Sequence, residues 1–119
     1  HCWVAGFSFG AWIGMQLLMR RPEITGFISV APPANIYDFS FLAPCPASGL
    51  IINGAADRVA PPKDTQTLVN KLRDQKGITI THQVVEGAGH FFENDEEHMN
   101  PMIDTVQEYV RRRLGEGTR

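Results

Sequence analysis

Short apolar runs separated by glycine and proline dominate the chain, and their periods assign its elements. Cys2 to Phe7 (Cys-Trp-Val-Ala-Gly-Phe) is apolar throughout, which predicts a strand buried on both faces, as in a parallel sheet. Phe9 to Arg20 has helical spacing. Gly10, Ala11 and Gly14 offer a small-residue face for close approach to a sheet, and Ile13, Leu17 and Leu18 add apolar bulk. Pro22 stops this helix, with Arg20 and Arg21 near the negative end of its dipole. Thr25 to Val30 predicts a second strand, ended by Pro32-Pro33, and the segment Ala34 to Ala47 is irregular. Gly49 to Asn53 is the third strand, again apolar. Pro61 or Pro62 then opens a helix with Leu68, Val69 and Leu72 on its inner face and Gly77 as C-terminal cap.

Ile78 to Val85 reads differently. Ile78, Ile80, His82 and Val84 alternate with Thr79, Thr81 and Gln83, the period of a half-exposed strand at or near a sheet edge. A last helix is predicted from Asn100 to Leu114, with Asn100 as its cap and Pro101 in the first turn. Met102, Ile103, Val106 and Val110 form its apolar stripe, and Arg111, Arg112 and Arg113 sit where positive charge is favoured. This helix is expected on the sheet face opposite the other two. Strands alternating with helices predict an α/β fold with right-handed crossovers. No internal repeat or low-complexity linker divides the chain, so residues 1–119 read as one unit.

Composition narrows the function classes. A 119-residue chain holds one domain with a real core. The net charge of −2 and sequence pI of about 6.1 provide no broad basic field, which argues against nucleic acid or an anionic membrane as partner. No run of apolar residues is long enough to span a bilayer. Cys2 and Cys45, far apart in sequence, read as two reduced thiols of a cytoplasmic protein. The chain opens His1-Cys2-Trp3-Val4, directly inside an apolar strand and without an initiator Met. We therefore expect N-terminal strands of the fold to be missing from it, together with any targeting segment.

The strongest chemical signal is Gly6-Phe7-Ser8-Phe9-Gly10, placed where a strand ends and a helix begins. In a nucleophile elbow the serine occupies a strained turn, and flanking glycines let strand and helix approach. The plain alternative is a glycine-rich turn with an incidental serine. A serine nucleophile needs a base, and His90 lies in Gly87-Ala88-Gly89-His90-Phe91-Phe92 just after the last strand. His1, His82 and His98 lack comparable placement. Asp57, in Asn53-Gly54-Ala55-Ala56-Asp57-Arg58 after the third strand, is the candidate acid, and Asp38 after the second strand competes with it. Serine, acid and histidine then fall after the first, third and fourth strands, at one edge of a parallel sheet. Ser…Asp…His is the chain order expected of α/β-hydrolases.

The elbow Gly6-Phe7-Ser8-Phe9-Gly10-Ala11, the run Leu50-Ile51-Ile52-Asn53-Gly54-Ala55-Ala56-Asp57 and the loop Gly87-Ala88-Gly89-His90-Phe91-Phe92 resemble the small, lidless α/β-hydrolases related to dienelactone hydrolases and carboxylesterases. The resemblance runs from about Trp3 to Leu114. It implies strands five to eight of an eight-stranded sheet, the C-terminal part of that fold. Dienelactone hydrolases proper use a cysteine nucleophile, whereas the elbow here holds Ser8, which favours esterase-like chemistry. Motif order and resemblance together predict a serine hydrolase acting on small ester-like substrates, with Ser8, Asp57 and His90 as catalytic triad and the Phe9 N–H as one oxyanion donor. Phe9, Phe39 and Phe91 are candidate substrate-pocket residues. The chemistry calls for no metal or organic cofactor, and the acidic run Glu93 to Glu97 near His90 and His98 shows no ligand spacing. The connection Ala34 to Ala47 is too short for the helical lid of lipases, so the site is expected to be open. The competing function is a non-catalytic binding or scaffolding module that keeps the fold.

Overall fold

The apolar runs become strands laid side by side in chain order. A computed structural model describes residues 2–42 and 44–117, and within them β1 (Trp3–Phe7), β2 (Gly26–Val30), β3 (Gly49–Gly54) and β4 (Ile80–Val85) form a four-stranded sheet in the order β1-β2-β3-β4. Every pairing is parallel, from Trp3 beside Gly26 to Gly54 beside Val85. The crossovers are α1 (Phe9–Arg20), a loop with a 3-10 turn at Ser40–Leu42, and α2 (Pro62–Arg73), and α3 (Asn100–Gly117) closes the order. Because all strands point the same way, the turns after β1, β3 and β4 share one edge of the sheet.

Two cores sandwich that sheet. Met15 and Leu18 of α1 and Leu68, Val69 and Leu72 of α2 pack with Phe27, Ile51 and Ile80 on one face. Ile28, Leu50, Ile52 and Val85 meet Tyr109 and Phe92 on the other, with Met102, Val106 and Val110 of α3 alongside. The last helix thus lies opposite the first two, as its placement in the pattern predicts. Leu50 and Ile52 are fully buried, which stabilises the fold by about 1.5–3 kcal/mol for each side chain. Among the described residues, no helix is long and apolar enough to cross a membrane.

Several expectations are corrected. β1 is not buried on both faces: Ala5 and Phe7 are exposed and the rest half-buried, because β2 is its only strand neighbour among the described residues. On α1 the inward face is Ala11, Gly14, Met15 and Leu18, while Gly10, Ile13 and Leu17 face out. Gly77 (φ 87) lies beyond the end of α2, which stops at Arg73 with Asp74 as its cap, so it serves the turn into β4. The alternation of β4 fails at its end, where Val84 is exposed and Val85 joins the α3-side core.

Asn100 is not the cap of the last helix. A π-helical turn, Asp95–Met99, precedes α3, and Asn94 caps it by accepting from the Glu97 N–H at 3.0 Å. Asp95, Glu96 and Glu97 then occupy the first turn, where the dipole favours negative charge. Ile103 is exposed, and the buried anchor of α3 is Tyr109. Arg113 does more than sit at a favourable helix end. It donates to the Ser48 and Thr25 carbonyls at 3.1 Å each, just before β3 and β2, and its guanidinium stacks 4.8 Å over Trp3.

Candidate active site

β1 ends at Phe7 and α1 begins at Phe9, so Ser8 alone must redirect the chain. It does so at φ 56 and ψ −120, a positive-φ conformation that costs a non-glycine residue about 1–3 kcal/mol. Backbone bonds hold it there: the Ser8 N–H donates to the Val30 carbonyl at 2.8 Å, and the Ser8 carbonyl accepts from the Ala11 N–H at 2.9 Å. A Cβ on Gly6 would collide with the backbone carbonyl of Gly10, so strand and helix can approach only over glycine at position 6. The same is not true of Gly10, around which a Cβ would meet nothing within 4 Å. Of the two flanking glycines, packing requires only the first.

The Asp57 carboxylate is buried and fully engaged. Its Oδ1 accepts from the Val59 and Ala60 N–H groups at 2.8 Å each, closing the turn after β3. That turn is tied to the next loop through backbone: the Ala55 N–H donates to the Val85 carbonyl and the Ala56 N–H to the Ala88 carbonyl, both at 2.9 Å. Gly54 makes the approach possible, since a Cβ there would strike the Ala88 carbonyl.

His90 emerges from that loop between the other two residues. Its Nδ1 lies 2.8 Å from Asp57 Oδ2 and its Nε2 2.8 Å from Ser8 Oγ, and the residue is buried. A carboxylate only accepts, so the neutral ring carries its proton on Nδ1 and turns the Nε2 lone pair toward the serine hydroxyl. The same turn at Ser8 starts α1, whose first N–H groups have no partner within the helix. Ala11 and Trp12 are the first to bond back to the Ser8 carbonyl, which leaves the Phe9 N–H aimed past the end of the helix.

Asp38, the rival acid, sits elsewhere. It is exposed, accepts from the Ser40 N–H at 2.8 Å and from the Ser40 hydroxyl at 2.9 Å, and those bonds pull its pKa below the ordinary carboxylate value. The three aromatic candidates separate. Phe9 is exposed and packs on Trp12 and Tyr37, and Phe91 is exposed beside His90. Phe39 is 7% exposed and belongs to the core on the α1 and α2 side, stacked on Phe41, where it also lines a cavity with Tyr37, Leu68 and Leu72. Phe7, part of the Gly6-Phe7-Ser8-Phe9-Gly10 motif but not among the three candidate pocket residues, has its ring 5.3 Å from that of His90. Its signal was its place directly before Ser8 at the strand end. His82 instead pairs with the buried Asn53. Among the described residues, no group of three or more His, Cys, Asp or Glu side chains is gathered as for a metal.

No family model matches the chain. A protein of unknown function from Agrobacterium tumefaciens, described as a candidate α/β hydrolase, superposes with a TM-score of 0.92 at 63% identity, over 97% of this chain and 51% of that one. A serine hydrolase without a lid from Xanthomonas campestris superposes with a TM-score of 0.73 at 31% identity, over 92% of this chain and 46% of that one. This chain forms part of an α/β-hydrolase fold. An uncharacterized protein of Rickettsia prowazekii is 48% identical over 105 residues, 85% of this chain and 44% of that protein. The chain therefore spans about half the length of each of these proteins.

Proposed function

We propose that this protein is a serine hydrolase that cleaves small ester-like substrates through an acyl-enzyme on Ser8. One observation carries the reading: the unbroken relay from Ser8 Oγ through His90 to Asp57, with both links at 2.8 Å. His90 Nε2 takes the hydroxyl proton as Ser8 Oγ attacks the carbonyl carbon, and Asp57 holds the ring in the required tautomer and stabilises its protonated form. The developing oxyanion is met by the Phe9 N–H at the positive end of α1. His90 returns the proton to the departing alcohol, then activates the water that releases the acid. These steps need neither metal nor organic cofactor. Phe9, directly after the serine, and Phe91, directly after His90, are exposed and are the proposed substrate-contacting rings. Both cysteines are free thiols, which fits a cytoplasmic setting.

A fluorophosphonate probe tests the reading in the intact protein. It should label Ser8, and Ser8→Ala should abolish labelling and cut p-nitrophenyl acetate hydrolysis by up to about 10⁶-fold. Labelling that survives the substitution, or hydrolysis that keeps more than about a tenth of the rate, would overturn it. An unlabelled protein would favour a non-catalytic binding module.

A further inference from the structure

The ring of His90 is bracketed by two phenylalanines. Phe7 stands 5.3 Å from it, tilted by 40°, and Phe91 5.0 Å from it, edge-on at 85°. The two phenylalanines lie 6.0 Å from each other. Neither is core: Phe7 is 42% exposed and Phe91 58%. A single exposed aromatic needs no explanation. Two of them, from the end of β1 and the loop after β4, converge here on one ring, that of His90. The backbone next to them adds an independent sign. Phe92 adopts φ 49, a strained left-handed conformation for phenylalanine, with its own side chain buried against the α3-side core. The turn hides Phe92 and leaves Phe91 facing out beside the imidazole.

Chemistry decides which part of a substrate these rings meet. In acylation the proton leaves Ser8 Oγ for His90 Nε2 as the Oγ–carbon bond forms. The bond from that carbon to the alcohol oxygen then breaks, and Nε2 gives the proton to the departing oxygen. That oxygen must come within hydrogen-bond reach of Nε2, so its substituent lies against whatever flanks the ring. The flanks are Phe7 and Phe91. Phe9 belongs to a different group, packed on Trp12 and Tyr37 at the start of α1. Resting on the serine-hydrolase reading, we infer that Phe7 and Phe91 form the leaving-group subsite, and that the alcohol released is apolar, alkyl or aryl-bearing.

Esters of alcohols of similar acidity test this without a confounding change in leaving-group basicity. In the intact protein, kcat/KM is measured for methyl acetate, 2-phenylethyl acetate and methyl butanoate. Wild type should prefer 2-phenylethyl to methyl acetate. Phe91→Ala should lower that preference about fivefold, the worth of one aromatic contact, while the butanoate-to-acetate ratio moves by less than about twofold. Phe91→Leu, which keeps apolar area, should recover part of the lost preference. An unchanged alcohol ratio, or equal changes in the alcohol and acyl ratios, overturns the inference. Fluorophosphonate labelling separates the two failures. Labelled Ser8 with a flat alcohol series sinks the subsite alone, and unlabelled Ser8 sinks the hydrolase reading and the subsite with it.

Discussion

Exchanging Asp57 for asparagine replaces one oxygen by an amide nitrogen and removes a charge at a carboxylate whose contacts are all defined. Oδ1 accepts from two backbone N–H groups, of Val59 and Ala60, and Oδ2 faces His90 Nδ1, each at 2.8 Å. An amide has only one oxygen to share among these partners. Turned so that the oxygen keeps Val59 and Ala60, it presents its NH₂ to His90 Nδ1. That nitrogen must then accept, so the ring proton moves to Nε2, which can no longer take the proton of Ser8. Turned the other way, the NH₂ confronts two backbone donors at a residue 3% exposed. Each orphaned buried donor costs about 1–3 kcal/mol, so the first orientation wins. Stability should then fall only by the weakening of charge-assisted bonds to neutral ones, about 1–2 kcal/mol. The acylation rate should fall about 10⁴-fold, the scale of this exchange in a serine protease, or about 5.4 kcal/mol of barrier. Stopped-flow acylation by p-nitrophenyl acetate beside urea denaturation of the same variant separates the two effects. Asp38→Asn is the control, since the Asp38 carboxylate bonds to Ser40, away from His90, and the exchange should leave the rate little changed. A rate loss under about tenfold for Asp57→Asn, or a larger loss for Asp38→Asn, would refute the reasoning.

Gly54→Ala should destabilise the protein by about 1–3 kcal/mol, because the new Cβ meets the Ala88 carbonyl, whereas Gly10→Ala enters open space on a helix and should stabilise by about 0.5–1 kcal/mol. Urea denaturation of both variants checks the sign, and a Gly10→Ala as costly as Gly54→Ala would contradict the packing argument. Burial, with Arg73 adding to it, holds the His82 pKa below the ordinary imidazole value, so the unfolded chain binds that proton first. Its contribution is therefore fully present above about pH 6.5 and declines as the pH falls toward the lowered value. The urea midpoint measured against pH should slope downward on acidification, and less steeply in His82→Gln.

The local pattern was enough to find the elements and the edge at which chemistry could gather. Apolar runs with short connections mark β2 and β3 to within a residue, because periodicity reports which positions share a face. Parallel direction follows from strands alternating with helices, and it brings the turns bearing Ser8, Asp57 and His90 to one side. Burial was not legible, because it depends on what stands opposite a face. Cys2 to Phe7 reads as doubly buried and is half-exposed, since β2 is its only strand neighbour among the described residues. The apolar stripe predicted for α3 includes Ile103 and omits Tyr109, yet packing leaves the first exposed and buries the second. Hydrogen-bond partners are non-local in the same way. Asp38 and Asp57 both follow a strand in the sequence, and the contact across 33 residues between Asp57 and His90 is what separates them. Phe39 packs into the core and Phe7 stands beside His90 for the same reason. A side chain's sequence position fixes the face it leaves from, and the packed chain around it decides whether that face is core or site.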